Sequence, residues 1–218
     1  MRHDERAKKL RLYLICGEGD DRATLGKKVS DALAGGVTAV QLRAKTWDAR
    51  EIYDTACELR KITAAHGALF IINDRLDIAL AVGADGVHLG QKDLPVAEAR
   101  KIAPRGFLVG GTARTVDLAK AAQRDGADYI GCGSAFPTGT KQDAVVIGPE
   151  GITEVLRSVT IPSVAIGGID AENVERLAHC GCSGICLSGG IMKAPDPKAA
   201  AAQLLNKIKC LFESGRIS

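Results

Sequence analysis

Short runs rich in Val, Ile and Leu recur along the whole chain. They are RLYLIC (11–16), AVQLR (39–43), ALFIIND (68–74), GVHLG (86–90), FLVGGT (107–112), YIGCG (129–133), SVAIGG (163–168) and GICLSGG (184–190). Each is too continuous to alternate apolar with polar positions, so each is predicted to be a parallel strand covered on both faces. Between them lie stretches rich in Ala, Leu, Lys and Glu, such as DAREIYDTACELRKITAAHG and KAAAAQLLNKIKCLFE, which favour helix. Four runs are introduced by nearly one phrase: LAGGVTAVQL, AVGADGVHLG, QRDGADYIGCG and AHCGCSGICL. Each phrase closes a helix with Gly and enters a strand after a short turn, a repeat of architecture rather than chemistry. Eight strands alternating with helices predict an α/β fold, a single (β/α)8 TIM barrel. A doubly wound open sheet is the alternative, but at this length it seldom holds eight strands. No linker or composition break divides residues 1–218, so one domain is expected, with residues 1–10 and 212–218 as flexible tails.

Composition narrows the class. The chain is 46% hydrophobic and 25% charged, which argues against disorder. Its 29 Lys+Arg against 26 Asp+Glu are spread without a basic block, so nucleic acid is not an implied partner. No apolar run reaches the roughly 18 residues of a membrane span. The first twenty residues lack the apolar segment of a secretory signal. Seven Cys without such a signal point to a reducing, cytoplasmic compartment. Cys180-Gly181-Cys182, with Cys186 and His179 nearby, lacks the second pair that structural zinc requires, so these thiols are expected to be packing residues.

In a (β/α)8 barrel the reactive face lies at the carboxyl ends of the strands. Polar residues gather there: Gln41, Arg43 and Lys45 after the second run, then Asn73, Asp74 and Arg75 after the third. Gln91 and Asp93 follow the fourth, Thr112 ends the fifth, and Pro137-Thr138-Gly139-Thr140-Lys141 follows the sixth. Gly167-Gly168 and Ser188-Gly189-Gly190 close the last two. Asp74 and Asp93 end successive strands, about 5 Å apart in a parallel sheet. Two carboxylates that close repel unless a cation sits between them, and Mg²⁺ suits two carboxylates completed by water and phosphate oxygens. The alternative is that each Asp caps the helix after it. Arg43, Lys45 and Lys141 would make the same mouth cationic, as a pyrophosphate requires. The Gly turns after strands seven and eight offer backbone N–H groups to a second phosphate. His88, alone on its strand, reads as a hydrogen-bonded packing residue.

With these residues in view, the chain resembles the thiamine-phosphate synthase family. The matching phrases are QLRAK (41–45), NDRLDIALAVGADGVHLGQKDLP (73–95), PTGTK (137–141), IGGI (166–169) and LSGGI (187–191), in the family's order. The resemblance implies a transferase that joins a hydroxymethylpyrimidine pyrophosphate to a thiazole phosphate, giving thiamine phosphate and pyrophosphate with Mg²⁺ as cofactor. It implies that Gln41, Arg43, Lys45, Asn73, Thr112 and Lys141 hold the pyrimidine pyrophosphate, with Arg43, Lys45 and Lys141 stabilising the leaving group. Asp74 and Asp93 would bind the metal. Thr138, Thr140, Gly167, Gly168, Leu187, Ser188 and Gly189 would hold the thiazole phosphate.

The chain departs from the family's pattern in places. GGTARTVD has Thr112 and Arg114 where the family tends to have Ser and His, strand one ends in LICGEGD, and strand eight has LSGG in place of VSA. A thiazole tautomerase-like relative is one rival reading, but it lacks the Asn-Asp-Arg and Gln-x-x-Asp residues present here as Asn73, Asp74, Gln91 and Asp93. A non-catalytic thiamine-phosphate-binding paralogue is another, and turnover alone separates it. The expected partners are the two small-molecule substrates, with neither nucleic acid nor membrane. Oligomeric state is left open, a homodimer being one option.

Overall fold

The computed structural model describes residues 7–138 and 145–213. All eight apolar runs form strands: β1 (Leu12–Gly17), β2 (Ala39–Arg43), β3 (Leu69–Asn73), β4 (Gly86–Leu89), β5 (Leu108–Ala113), β6 (Tyr129–Cys132), β7 (Ser163–Ile166) and β8 (Gly184–Leu187). The last two end earlier than the apolar runs, because the chain turns away at Gly167 and at Ser188. Every neighbouring pair is parallel, and β1 pairs with β8 to close the barrel in sequence order. The open-sheet alternative is thereby excluded. The helices are α1 (Arg22–Ala34), α2 (Ala49–Ala65), α3 (Leu76–Ala81), α4 (Val96–Ile102), α5 (Val116–Arg124), α6 (Gly148–Arg157), α7 (Gly189–Met192) and α8 (Pro197–Glu213). A 3-10 helix, Val174–Leu177, precedes β8.

Two apolar cores explain the unbroken hydrophobic runs. Outward strand residues such as Leu14, Val40, Phe70 and Ile72 pack under the helices. Inward residues Tyr13, Ala39, Leu69, Ile71, Leu108, Tyr129, Val164 and Cys186 fill the barrel itself. On β2 and β3 the inward series grows polar toward the carboxyl end: Ala39, Gln41, Arg43 and Leu69, Ile71, Asn73. That gradient makes one end of the barrel a plug and the other a site. Leu10 belongs to the plug and is buried, so the chain is anchored from Ala7–Leu10 onward rather than free through residue 10. At the other end, residues 212 and 213 continue α8 instead of leaving as a tail.

The repeated phrase has a physical role. In each copy the residue just before the strand turns its side chain onto a backbone N–H at the start of the preceding strand. Thr38 Oγ1 accepts from Leu12 N at 3.1 Å, Asp85 from Phe70 N at 2.8 Å, Asp128 from Val109 N at 2.9 Å and Ser183 Oγ from Ser163 N at 3.3 Å. Four such latches tie the strands in pairs, β1 to β2 through β7 to β8. Gly83 and Gly126, at φ +62° and +93°, make the tight turn that delivers Asp85 and Asp128. Both carboxylates are also paired, Asp85 with Arg60 at 2.8 Å and Asp128 with Arg100. Replacing Asp128 strands the buried Val109 N–H and removes the ion pair of Arg100, costing about 1–3 kcal/mol. Asp128→Ala should therefore lower the thermal midpoint by several degrees while leaving the substrate KM values unchanged; calorimetry and steady-state kinetics check both.

The cysteines behave as packing residues. Cys16, Cys132, Cys180, Cys182 and Cys186 are buried free thiols. Burial pushes the Cys132 and Cys182 thiols up to about 12, so they stay protonated and inert near neutral pH. Among the described residues no group of three or more His, Cys, Asp or Glu could hold a metal ion, and no helix is long and apolar enough to cross a membrane.

Candidate active site at the carboxyl end of the barrel

A cavity of about 410 Å³ opens at the carboxyl ends of the strands. Its lining takes in Gln41, Arg43, Lys45, Asn73, Asp74, Asp93, Thr112, Thr138, Gly167, Gly168, Leu187, Ser188 and Gly189. Every expected site residue within the described part of the chain thus meets in one place. Thr140 and Lys141 lie outside the described residues. Arg114 is exposed and does not line the cavity, while Gln91 donates to the Thr112 carbonyl and fastens the end of β4 to β5.

Asp74 and Asp93 are hydrogen-bonded to each other, and Lys45 Nζ stands 2.9 Å from Asp74. Neither caps a helix: Arg75 and Pro95 occupy those positions, without side-chain caps. Asp93 instead accepts from Gly90 N at 2.7 Å. Asp74 sits at φ +63°, the one non-glycine in the left-handed region among the described residues, and its N–H donates to the His88 carbonyl at 2.9 Å. That conformation turns the Asp74 carboxylate toward Asp93 at some cost in backbone energy. Burial, and then the hydrogen bond to Asp93, raise the Asp74 carboxyl above its ordinary range. Burial works the same way on Asp93. There it is outweighed by hydrogen bonds from Asp74 and the Gly90 amide and by the charge of Lys45, so that Asp93 stays low. A divalent cation between them would satisfy both groups, and two contacting carboxylates are a donor set that fits Mg²⁺.

Around the pair the QLRAK segment is braced by a residue the sequence did not single out. Glu18, at the end of β1, accepts from Lys45 N at 3.0 Å and lies 4.0 Å from Arg43 Nη1. A hydrogen bond from Thr46 leads the interactions that hold the Glu18 carboxyl below the usual range, so it remains a charged strut. Opposite, the turn at Gly167 and Gly168 passes so close to the loop after β6 that a Cβ on Gly168 would lie 2.3 Å from the Pro137 carbonyl. This brings Thr138 beside the turn, and Asn173 pins the turn by donating to the Gly168 carbonyl at 2.8 Å.

The floor carries the second group absent from the expectations. Gln41, 2% exposed, donates through Nε2 to the Tyr13 hydroxyl at 2.8 Å, and Tyr13 is 3.0 Å from the Tyr129 hydroxyl. His88 joins as a hydrogen-bonded strand residue, with Nδ1 3.2 Å from Tyr129 and Nε2 2.9 Å from Thr112 Oγ1. Glycines make the room: a Cβ at Gly110 would stand 2.3 Å from the Tyr129 ring and 2.6 Å from His88. Tyrosines inside apolar strands read as core, and only their shared inward register with Gln41 could have revealed them.

Fold and cavity define a (β/α)8-barrel protein whose carboxyl-terminal mouth combines a carboxylate pair, cations and glycine turns. The family described as Thiamine monophosphate synthase matches residues 12–191. A thiamine-phosphate synthase from Methanobrevibacter smithii is 42% identical over 200 residues, spanning 92% of this chain and 96% of that one. Its counterpart from Pyrococcus horikoshii is 46% identical over 198 residues, 90% and 93% of the two chains. The solved structure of a thiamine phosphate pyrophosphorylase from Pyrococcus furiosus superposes with a TM-score of 0.87 at 40% identity, covering 95% of this chain and 99% of that one. The chain belongs to the thiamine monophosphate synthase family.

Proposed function

We infer that the chain is a thiamine-phosphate synthase. It joins the pyrimidine methylene of hydroxymethylpyrimidine pyrophosphate to the nitrogen of a thiazole phosphate. The observation that carries this reading is one cavity in which the Asp74–Asp93 pair with Arg43 and Lys45 faces the turns at Gly168 and Ser188. One end suits a pyrophosphate and the other a monophosphate, so both substrates fit head to head.

Arg43, Lys45 and Lys141 take the pyrophosphate oxygens, and Asn73 and Thr112 add neutral donors. Asp74 and Asp93 are the residues that would hold Mg²⁺. When bound there, Mg²⁺ offsets the negative charge that grows on the departing pyrophosphate. Thr138, Thr140, Gly167, Gly168, Leu187, Ser188 and Gly189 hold the thiazole phosphate. The methylene C–O bond breaks, pyrophosphate leaves with the electron pair, and the thiazole nitrogen lone pair forms the new C–N bond. No base is needed, because the attacking nitrogen carries no proton. The aminopyrimidine ring is electron-rich enough to bear the positive charge of a dissociative path, and the preorganised cations stabilise the leaving group. The six described cysteines, all free thiols, support a cytoplasmic location.

Incubating the protein with both substrates, with Mg²⁺ and then with excess chelator, tests the reading. Thiamine phosphate and pyrophosphate should form in equal amounts and only with the metal; bound thiazole phosphate without product would favour the paralogue or tautomerase alternatives. The raised Asp74 carboxyl adds a pH dependence. Asp74 holds its proton at pH values where a free Asp has lost it, and metal binding must expel that proton. Mg²⁺ affinity should weaken by about tenfold per pH unit below the Asp74 titration and level off above it. Calorimetric titrations across that range read the slope, and a flat profile would contradict the assignment.

A further inference from the structure

Beneath the cations, five side chains from five strands form a continuous hydrogen-bond chain: Gln41, Tyr13, Tyr129, His88 and Thr112. Each phenol has one proton, and burial raises both Tyr13 and Tyr129 far above the ordinary range, so both protons stay. Tyr13 accepts from Gln41 Nε2 and so donates to Tyr129. Tyr129 in turn donates to His88 Nδ1. The remaining His88 proton, on Nε2, goes to Thr112 Oγ1, leaving the Thr112 hydrogen for a ligand. With a neutral His88 imidazole, the direction of every bond follows from the first.

The register says which way Gln41 is turned. Gln41 lies beside Ile15 on β1, whereas Tyr13 lies beside Ala39, two residues nearer the plugged end. Nε2 therefore points down to Tyr13, and Oε1 faces the mouth, where Arg43 and Lys45 stand. Among the described residues no hydrogen bond engages Oε1. A pyrimidine whose pyrophosphate sits on those cations enters with its substituted methylene upward. Its amino group is next to the carbon bearing that methylene, hence nearer the mouth than the adjoining ring nitrogen. Oε1 then accepts from the amino group, and the second Nε2 hydrogen donates to the ring nitrogen.

We propose, resting on the activity inferred above, that Tyr13 and Tyr129 are positioning residues that lock the Gln41 carboxamide in one orientation and so select a 4-aminopyrimidine over its 4-oxo counterpart. The oxo ring reverses the order of donor and acceptor along this edge, setting oxygen against Oε1 and N–H against N–H. Removing the Tyr13 hydroxyl frees the carboxamide to turn over. Removing the Tyr129 hydroxyl touches nothing of Gln41, yet it takes away the acceptor of the Tyr13 proton and with it what holds Tyr13 as an acceptor toward Nε2, which favours the turned form.

The test is kcat/KM for the aminopyrimidine pyrophosphate and for its 4-oxo analogue, in the parent protein, Tyr13→Phe and Tyr129→Phe. The parent should prefer the amino substrate by on the order of 10⁴-fold, as sites built to hydrogen-bond a substrate do. Each variant should lower that ratio by roughly 10- to 100-fold, the scale of one misdirected buried hydrogen bond. KM for the thiazole phosphate should hold. If one variant does not fold, the other still reads the ratio. Equal losses on both pyrimidines, with the ratio unchanged, would mean a purely structural role and overturn the inference alone. No product from the parent protein would overturn the functional reading and this inference with it.

Discussion

Asp74→Asn should lower the rate at saturating substrates by about 10³-fold, the range seen when a charge-stabilising contact to a leaving group is lost. Thiazole phosphate binding, measured by calorimetry, should change by less than about threefold, since its site lies at the Gly168 and Ser188 end. Asn is the informative replacement, because Asp74 sits at φ +63° and Asn tolerates that conformation, whereas Ala would add backbone strain to the loss of charge. The substitution keeps the shape of the site and removes the anion that faces Lys45 at 2.9 Å and Asp93 in direct contact. Asp93→Asn should fall in the same range, and the double variant should cost little more than either alone, as expected of two groups serving one ion. A near-normal rate in either single variant would remove the metal assignment.

Gly168→Ala should strike the other end of the cavity. A Cβ there would meet the Pro137 carbonyl at 2.3 Å and the Phe136 carbonyl at 2.8 Å, both backbone atoms, and φ is +62°. The strain alone is about 1–3 kcal/mol, and its relief must push the turn away from Thr138. KM for the thiazole phosphate should rise by roughly 10- to 100-fold, while KM for the pyrimidine pyrophosphate changes little. Varying each substrate against a saturating concentration of the other separates the two, and equal rises in both would contradict a distinct thiazole phosphate site.

These two variants mark what the sequence made legible. Asp74 and Asp93 could be paired because strand order alone sets them side by side. Gly167–Gly168 and Ser188–Gly189 could be placed because barrels put their phosphate sites after strands seven and eight. The strands themselves were legible as unbroken apolar runs, since helices cover their outer faces and the plug fills the inner one. What escaped was whatever depended on inward register. Tyr13 and Tyr129 sit among Leu, Ile and Val and look like core until the barrel closes and their hydroxyls meet. Glu18 lies in a strand end that departs from the family's pattern, so its contact with the Lys45 amide had no sequence signal. The repeated phrases were visible as architecture, but their latches, such as Asp128 to Val109 N, need the neighbouring strand in place. Asp74 has a left-handed φ that only the folded turn reveals.

The division of the mouth into two anion sites is tested most directly by a crystal structure grown with thiamine phosphate, pyrophosphate and Mg²⁺. Pyrophosphate should lie on Arg43 and Lys45, joined through the metal to Asp74 and Asp93. The monophosphate of the product should sit at the Gly168 and Ser188 turns, with its aminopyrimidine edge on Gln41. A pyrophosphate at the glycine turns, or a metal bound away from both aspartates, would contradict this assignment.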